Sequence, residues 1–367
     1  AFGKFSTRLG TISTDLLFRP DTARTIDFEG KLRAVDFDLG TLVNARDNIG
    51  RISLSVSVSG VSAAGGSINA DLKGNVQRFE FRGYNYTNIA LAGHLKDKTY
   101  DGSVNIRDPN ISLEFLGEVN LAGEKAAFDF TANVTDANLY ALNLDRSDPD
   151  FTASFYLIAK GKGNSVNNLN GEIRLLNSLF TRKDQQLQVY DCSIVADDRQ
   201  NLNHLQVRSD FLDADLSGHY QLTHAGRTFR SFLQAYLPSL SDSTGTDNHL
   251  STADFNLKAT VKNARPLLDF FLPGWYVADK STLTCSFRGN ENALALSVQS
   301  PQLQLGALRW TNLALSANSS PEALVLEAGS KYLSMGSLRL ENLSVTSASA
   351  HDSSRISVKW NNWQDLL

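Results

Sequence analysis

Residues 51–60, RISLSVSVSG, alternate without exception: Ile52, Leu54, Val56 and Val58 fall on one side of an extended chain and four serines on the other. A period of two marks a strand with one apolar face and one wet face. The same pattern places Phe128 and Phe130 together in AAFDFTANV, and Phe151, Phe155 and Leu157 together in FTASFYLIAKG. It returns in LQVYDCSIVA, LALSVQSPQLQLGAL and ALVLEAG. Turn signals such as RDPN around Pro109 and RSDPD around Pro149 separate these runs. The connections are short and no strand–helix–strand spacing occurs, so the chain is expected to be an antiparallel meander. At roughly 14 residues per strand and turn it makes on the order of twenty strands.

Three strands carry the same fault. In YNYTNIALAG, WTNLALSA and LRLENLSVTS the apolar side chains change parity at Asn88, Asn312 and Asn342. Ile89 and Leu91, Leu313 and Leu315, and Leu343 and Val345 follow the breaks. An extra residue in a β-bulge returns later side chains to the original face, and Asn tolerates the left-handed backbone this demands. Bulges at these positions would keep Tyr86 with Ile89, Trp310 with Leu313 and Leu340 with Leu343 while bending the sheet. Turns between separate strands are the alternative.

Two stretches leave the strand rhythm. In RTFRSFLQAYLPSL, residues 227–240, Phe229, Phe232, Leu233, Tyr236 and Leu237 follow helical spacing, an amphipathic helix stopped near Pro238. NARPLLDFFLPGW predicts a second, with Asn263 as cap, Pro266 in the first turn and Pro273-Gly274 at its end. The polar loop SDSTGTDNH, residues 241–249, lies between them. The expected organisation is a β-array over residues 1–225, a helical interruption containing one strand over 226–275, and a second array over 276–367 that continues the sheet.

Such a sheet needs a cover for its apolar face, and two short helices are too few. It must close, coil or fold lengthwise into a trough. The rival arrangement is a dry core in which apolar faces meet, as in a sandwich.

Composition narrows the function. At 42% hydrophobic and 20% charged residues the chain is apolar enough to fold. A net charge of −4 without a basic run offers no footprint for nucleic acid. No apolar window is long enough to span a membrane, and AFGKFSTRLG lacks the layout of a signal peptide. A chain that opens on Ala1 and holds one methionine, Met335, is expected to be a piece of a longer protein with its anchors elsewhere. Cys192 and Cys285 stand far apart in strand-like runs and are expected to be buried free thiols. The six histidines lack the partners of a zinc site. DADLSG, from Asp213, starts like a calcium loop, but His224 occupies the twelfth position. No nucleophile elbow or complete phosphate loop appears, so no catalytic residue and no cofactor is expected.

The long one-sided meanders, the x-N-[IL]-x-[LV] step at Asn88, Asn312 and Asn342, and ARPLLDFFLPGW resemble the TamB and AsmA-like proteins of Gram-negative bacteria. Residues 81–123, from FRGYNYTN to EVNLAG, are similar in particular to the Bacteroidetes-type TamB-like proteins. The likeness covers the chain from about Phe28 onward. It implies an all-β, elongated antiparallel β-groove of the β-taco or repeating β-groove type, with a continuous hydrophobic channel. It implies a translocation and assembly module anchored in the inner membrane, crossing the periplasm to an outer-membrane Omp85-type barrel partner. The function implied is non-enzymatic: phospholipid movement and outer-membrane biogenesis.

Removing a sixteen-carbon chain from a bilayer costs roughly 12 kcal/mol at ~0.8 kcal/mol per methylene, so a carrier needs an extended apolar lining. The candidates are the apolar residues already named on residues 52–58, 89–91, 128–130, 151–157, 313–315 and 343–345. The helix from Arg227 would either plug the groove or cap an array. The rival functions are a scaffold that templates barrel strands by β-augmentation, and a β-helical adhesin or carbohydrate-active enzyme.

Overall fold

The computed structural model describes residues 2–20, 25–63, 67–199, 202–240 and 253–361. These hold 22 strands hydrogen-bonded in one antiparallel sheet. Two compact units divide the chain: Ala1–Asn164 with Ile173–Gln188, and Ser165–Glu172 with Val189–Leu367.

The first unit carries, wholly or largely, β1 (Phe2–Thr7), β2 (Gly10–Pro20), β3 (Thr25–Asp38), β4 (Ile49–Ala63), β5 (Ile68–Phe81) and β6 (Tyr84–Lys96). It continues with β7 (Thr99–Asp108), β8 (Ile111–Asn120), β9 (Ala127–Asn138), β10 (Phe151–Lys162) and β11 (Asn170–Arg182). The second carries β12 (Gln185–Arg199), β13 (Leu202–Ser209), β14 (Leu212–His219), β15 (Asp254–Val261), β16 (Trp275–Val277) and β17 (Thr282–Arg288). It ends with β18 (Ala293–Leu305), β19 (Leu308–Ser319), β20 (Leu324–Met335), β21 (Leu338–Ala350) and β22 (Ser353–Asn361). Every described pairing is antiparallel, which leaves no parallel coil of the kind a β-helix requires. Two-residue turns with positive φ at both positions, Arg82-Gly83 and His351-Asp352, join their strands with the twist that hairpins favour.

In the first unit the register brings the apolar positions to one face. Ala34, Leu54, Val76, Ile89, Ile106, Leu113, Val134 and Phe155 stand opposite one another from β3 to β10. Residues directly opposite project to the same side, so this row is an apolar stripe across eight strands. The opposite parity carries Lys31, Ser57 and Lys73. On the apolar parity, two residues beyond Leu91, Gly93 faces Gly102. A Cβ on Gly102 would stand 2.4 Å from the Gly93 Cα, so only glycine permits this approach. The Tyr100 ring covers the gap, with its hydroxyl donating to the Ser103 carbonyl at 2.9 Å.

The asparagine slips lie inside single strands. Asn88, Asn312 and Asn342 have φ of 51°, 52° and 48° within β6, β19 and β21, so the turn alternative is excluded. Their pairing differs from a simple one-strand bulge. Gln77 is skipped beside Asn88, and Lys331 is skipped between Asn312 and Asn342, so adjacent strands slip together and keep register. Register shifts against a further neighbour appear between Ser53 and Leu54 on β4, and between Glu341 and Ser344 on β21. Asp36 and Asp136, with φ of 48° and 50°, adopt the same left-handed backbone in β3 and β9, but there the pairing register shifts, as in a one-strand bulge. Their amides donate to Ser53 Oγ at 3.0 Å and Ser154 Oγ at 2.9 Å.

Asp108 pins the Asn88 kink by accepting from the Thr87 amide at 3.0 Å and the Thr87 hydroxyl at 2.9 Å, and from the Tyr84 hydroxyl. Burial pushes the Asp108 carboxyl up, but hydrogen bonds from Tyr84, Asn110 and Thr87 outweigh it and hold the pKa below the ordinary carboxylate value.

Among the described residues three short α-helices interrupt the meander: α1 (Leu39–Leu42), α2 (Ala225–Gln234) and α3 (Arg265–Phe271). The first was not foreseen; the Asp38 side chain caps it by accepting from the Thr41 amide at 2.8 Å. The second is shorter than residues 227–240, because the Pro238 ring would clash with the carbonyl four residues back, at Gln234. Asn263 does not cap the third. Ala264 takes that position without a side-chain hydrogen bond, and the Asn263 amide donates to the Phe211 carbonyl at 3.2 Å. The predicted loop at 241–249 lies outside the described residues. β14 and β15 pair directly, Leu216 opposite Leu257, so the ladder continues past α2.

Candidate functional site

The first unit brings its candidates to one face. Leu54 shares the stripe with Ile89 and Phe155; Val56 shares the next with Leu91 and Leu157. Phe130 and Phe128 extend it from β9, with the Phe130 ring 5.1 Å from Phe115 and 6.1 Å from Phe128. Ile52 lies opposite Phe79, beyond the Gln77 slip. Phe151 stands apart from this row and stacks on Phe180 at 6.1 Å. Val56, Val58 and Ile89 are buried, and the other candidates here are half-buried.

One end of this face is closed. Val76, Tyr86, Ile89, Val134 and Ala137 form a buried cluster with Leu142, a fully buried residue from the turn after β9. Tyr86 and Ile89 thus share a side across the slip. Asn143 Nδ2 donates to the Arg82 carbonyl at 3.1 Å and ties that turn to the β5–β6 hairpin.

In the second unit Leu315 and Val345 lie in a row with Val298, Ala328 and Val358. Leu313 and Leu343 are buried, but they stand opposite Ser300 and Ser330, so their row is not wholly apolar. Ser300 Oγ lies 2.7 Å from Ser281 Oγ and donates to the Gln302 carbonyl at 2.8 Å.

The helix α2 packs on the apolar face of this unit. Phe232 is fully buried, with its ring edge-on to Phe287 at 5.6 Å and to Tyr236 at 5.5 Å. The buried Tyr236 hydroxyl lies 3.0 Å from the Asn292 carbonyl and 2.9 Å from that of Ser320. Beyond the helix, the Ser239 amide donates to Asp352 Oδ1 at 2.9 Å, and the Asp352 amide to the Tyr236 carbonyl at 3.0 Å. Leu233 and Leu237 pack partly against the same cluster. The C-terminal half is therefore fastened down.

The N-terminal half roofs an apolar cavity of about 330 Å³. Its floor is Leu216, Leu257, Leu283, Cys285, Leu294 and Leu296, from β14, β15, β17 and β18. Phe229, 57% exposed, stands at the rim instead of in the packed cluster. These floor residues were missed as a site although each lies on a visible alternation, since only pairing register gathers them. Burial raises the Cys285 pKa, which keeps its thiol protonated. A polar cavity of about 220 Å³ adjoins it and shares Tyr220, Gln221, Thr228 and Ala253; Asn203, His219 and His224 complete its lining. His224 Nδ1 lies 2.6 Å from Gln221 Oε1.

Charged side chains pair on the wet faces: Lys160 with Asp129 at 2.7 Å, Arg208 with Asp215 at 2.7 Å and Arg288 with Asp254 at 2.9 Å. Asp215 of the calcium-like DADLSG is thus held by a strand-to-strand ion pair. The arrangement offers apolar enclosure and hydrogen-bond donors. Comparison with known proteins finds no family model, no curated protein and no solved structure that matches the chain.

Proposed function

We propose that this chain is a segment of a non-enzymatic, TamB/AsmA-like bridge protein of the periplasm that carries or shields phospholipid acyl chains between the inner and outer membranes. The observation that supports it most is the apolar face of the first unit, where half-buried Leu54, Leu91, Phe130 and Leu157 lie in adjacent rows across β4 to β10. Each methylene buried there recovers about 0.8 kcal/mol of what it loses on leaving a bilayer. The cavity of about 330 Å³ between α2 and the sheet offers further apolar surface in the second unit. Transfer on this reading is passive partition, with chains against the apolar face and head groups in water. An Omp85-type barrel would be met through other parts of the protein.

A photoreactive benzoylphenylalanine at Leu91, Phe130 or Leu157 is expected to yield phospholipid adducts in cells, and at Ser57 on the wet face to yield none. Absence of lipid adducts at all three apolar positions would sink the reading.

One observation favours a scaffold for outer-membrane barrel assembly. Among the described residues β22 pairs with β21 alone, and it exposes Ile356, Val358 and Trp360, an edge that could accept another strand. Adducts with nascent barrel polypeptide at Ile356, without lipid adducts elsewhere, would favour that role.

A further inference from the structure

We infer that the two cavities beside α2 form one amphipathic site for a single-chain amphiphile, a fatty acid or a lysophospholipid, with its tail in the apolar cavity and its oxygen-bearing head in the polar one. This rests on the acyl-chain reading above and names a ligand class for one place in it. The cavities share walls at Tyr220, Gln221 and Thr228, so a molecule crossing between them passes from hydrocarbon to hydrogen-bonding groups. The polar cavity is lined by amide, imidazole, hydroxyl and phenol groups and by no carboxylate. That chemistry suits a carboxylate or phosphate head, which accepts hydrogen bonds. Burial, reinforced by the negative charge of Asp197, raises the Tyr220 pKa and keeps its phenol a donor.

Volume limits the tail. A cavity of about 150 Å³ holds one benzene, so one of this size holds about a dozen carbon atoms. One acyl chain fits and a second does not. Phe232 and Tyr236 fasten the far half of α2, so the roof over the tail is fixed at one end.

The native thiols give the test, because Cys285 lines the apolar cavity and Cys192, on β12, does not. The full chain is alkylated with N-ethylmaleimide and each cysteine is followed by mass spectrometry. Dodecanoate or dodecanoyl lysophosphatidylcholine, at about ten times its half-protecting concentration, is expected to slow Cys285 alkylation about tenfold and leave Cys192 unchanged. The probe that half-protects at the lower concentration identifies the head group. Didodecanoyl phosphatidylcholine below its aggregation threshold should not protect. Asn203→Ala and His219→Ala should each raise the half-protecting concentration of the preferred probe several-fold. No protection by either single-chain probe, equal protection of both cysteines, equal protection by the two-chain lipid, or unchanged half-protection in both variants would overturn the site. Lipid adducts at Leu91 and Phe130 alongside such a failure would leave the acyl-carrying reading standing.

Discussion

The two units cover the same kind of apolar sheet face by different means. In the first, a turn lends Leu142 to a cluster with Val76, Ile89 and Val134, and that end is filled. In the second, the connection between β14 and β15 lends α2, whose Phe232 and Tyr236 seat firmly while its first turns stand over a cavity. A single leucine on a tight turn can sink to the sheet. A helix is about 10 Å across and cannot follow the pleat, so it seals only where its aromatics reach down. Alternation in the strands builds the face, and the connections decide whether that face becomes core or pocket.

Four changes test this contrast. Phe232→Ala should have the largest effect, about 3–5 kcal/mol by loss of a fully buried aromatic. Hydrogen exchange should rise in α2 and in β17 and β18, and remain unchanged in β4 to β9. Leu142→Ala should cost about 2–5 kcal/mol and reverse that pattern, with exchange rising around β5, β6 and β9. If either variant loosened both units equally, the contrast would be wrong. Tyr236→Phe removes the hydroxyl that serves the Asn292 and Ser320 carbonyls and should cost about 1–2 kcal/mol in urea unfolding. It should also speed alkylation of Cys285 more than that of Cys192.

The smallest effect concerns pH. The Asp108 pKa is lowered in the fold, so its contribution is complete above the ordinary carboxylate value of about 4 and is lost as pH falls through the lowered value. Asp108→Asn should therefore flatten the acid limb of the stability curve, with the change centred on the first unit. An acid limb identical to the wild type would contradict that assignment.

The strand content and the membership of each face were legible because alternation is a local property. So were the kinks at Asn88, Asn312 and Asn342, where the parity slip and the residue type agree. Asp36 and Asp136 make the same parity slip in RAVDF and NVTDA, but an aspartate in a strand reads first as wet surface. The length of α2 was overdrawn because Tyr236 and Leu237 keep helical spacing beyond Gln234, where Pro238 forbids the helix. The cavity was illegible for another reason. Its floor gathers residues from four strands, and their register is set by pairing across the 40 intervening residues between Leu216 and Leu257, not by any one segment.

The central claim is that the apolar face holds acyl chains, and the most direct test is native mass spectrometry of the full chain after incubation with phospholipid vesicles and separation from them. The account predicts protein carrying bound phospholipid, with less on a Leu91→Asp, Leu157→Asp double variant that retains its strand signature in circular dichroism. Lipid-free wild-type protein with the fold intact would contradict it.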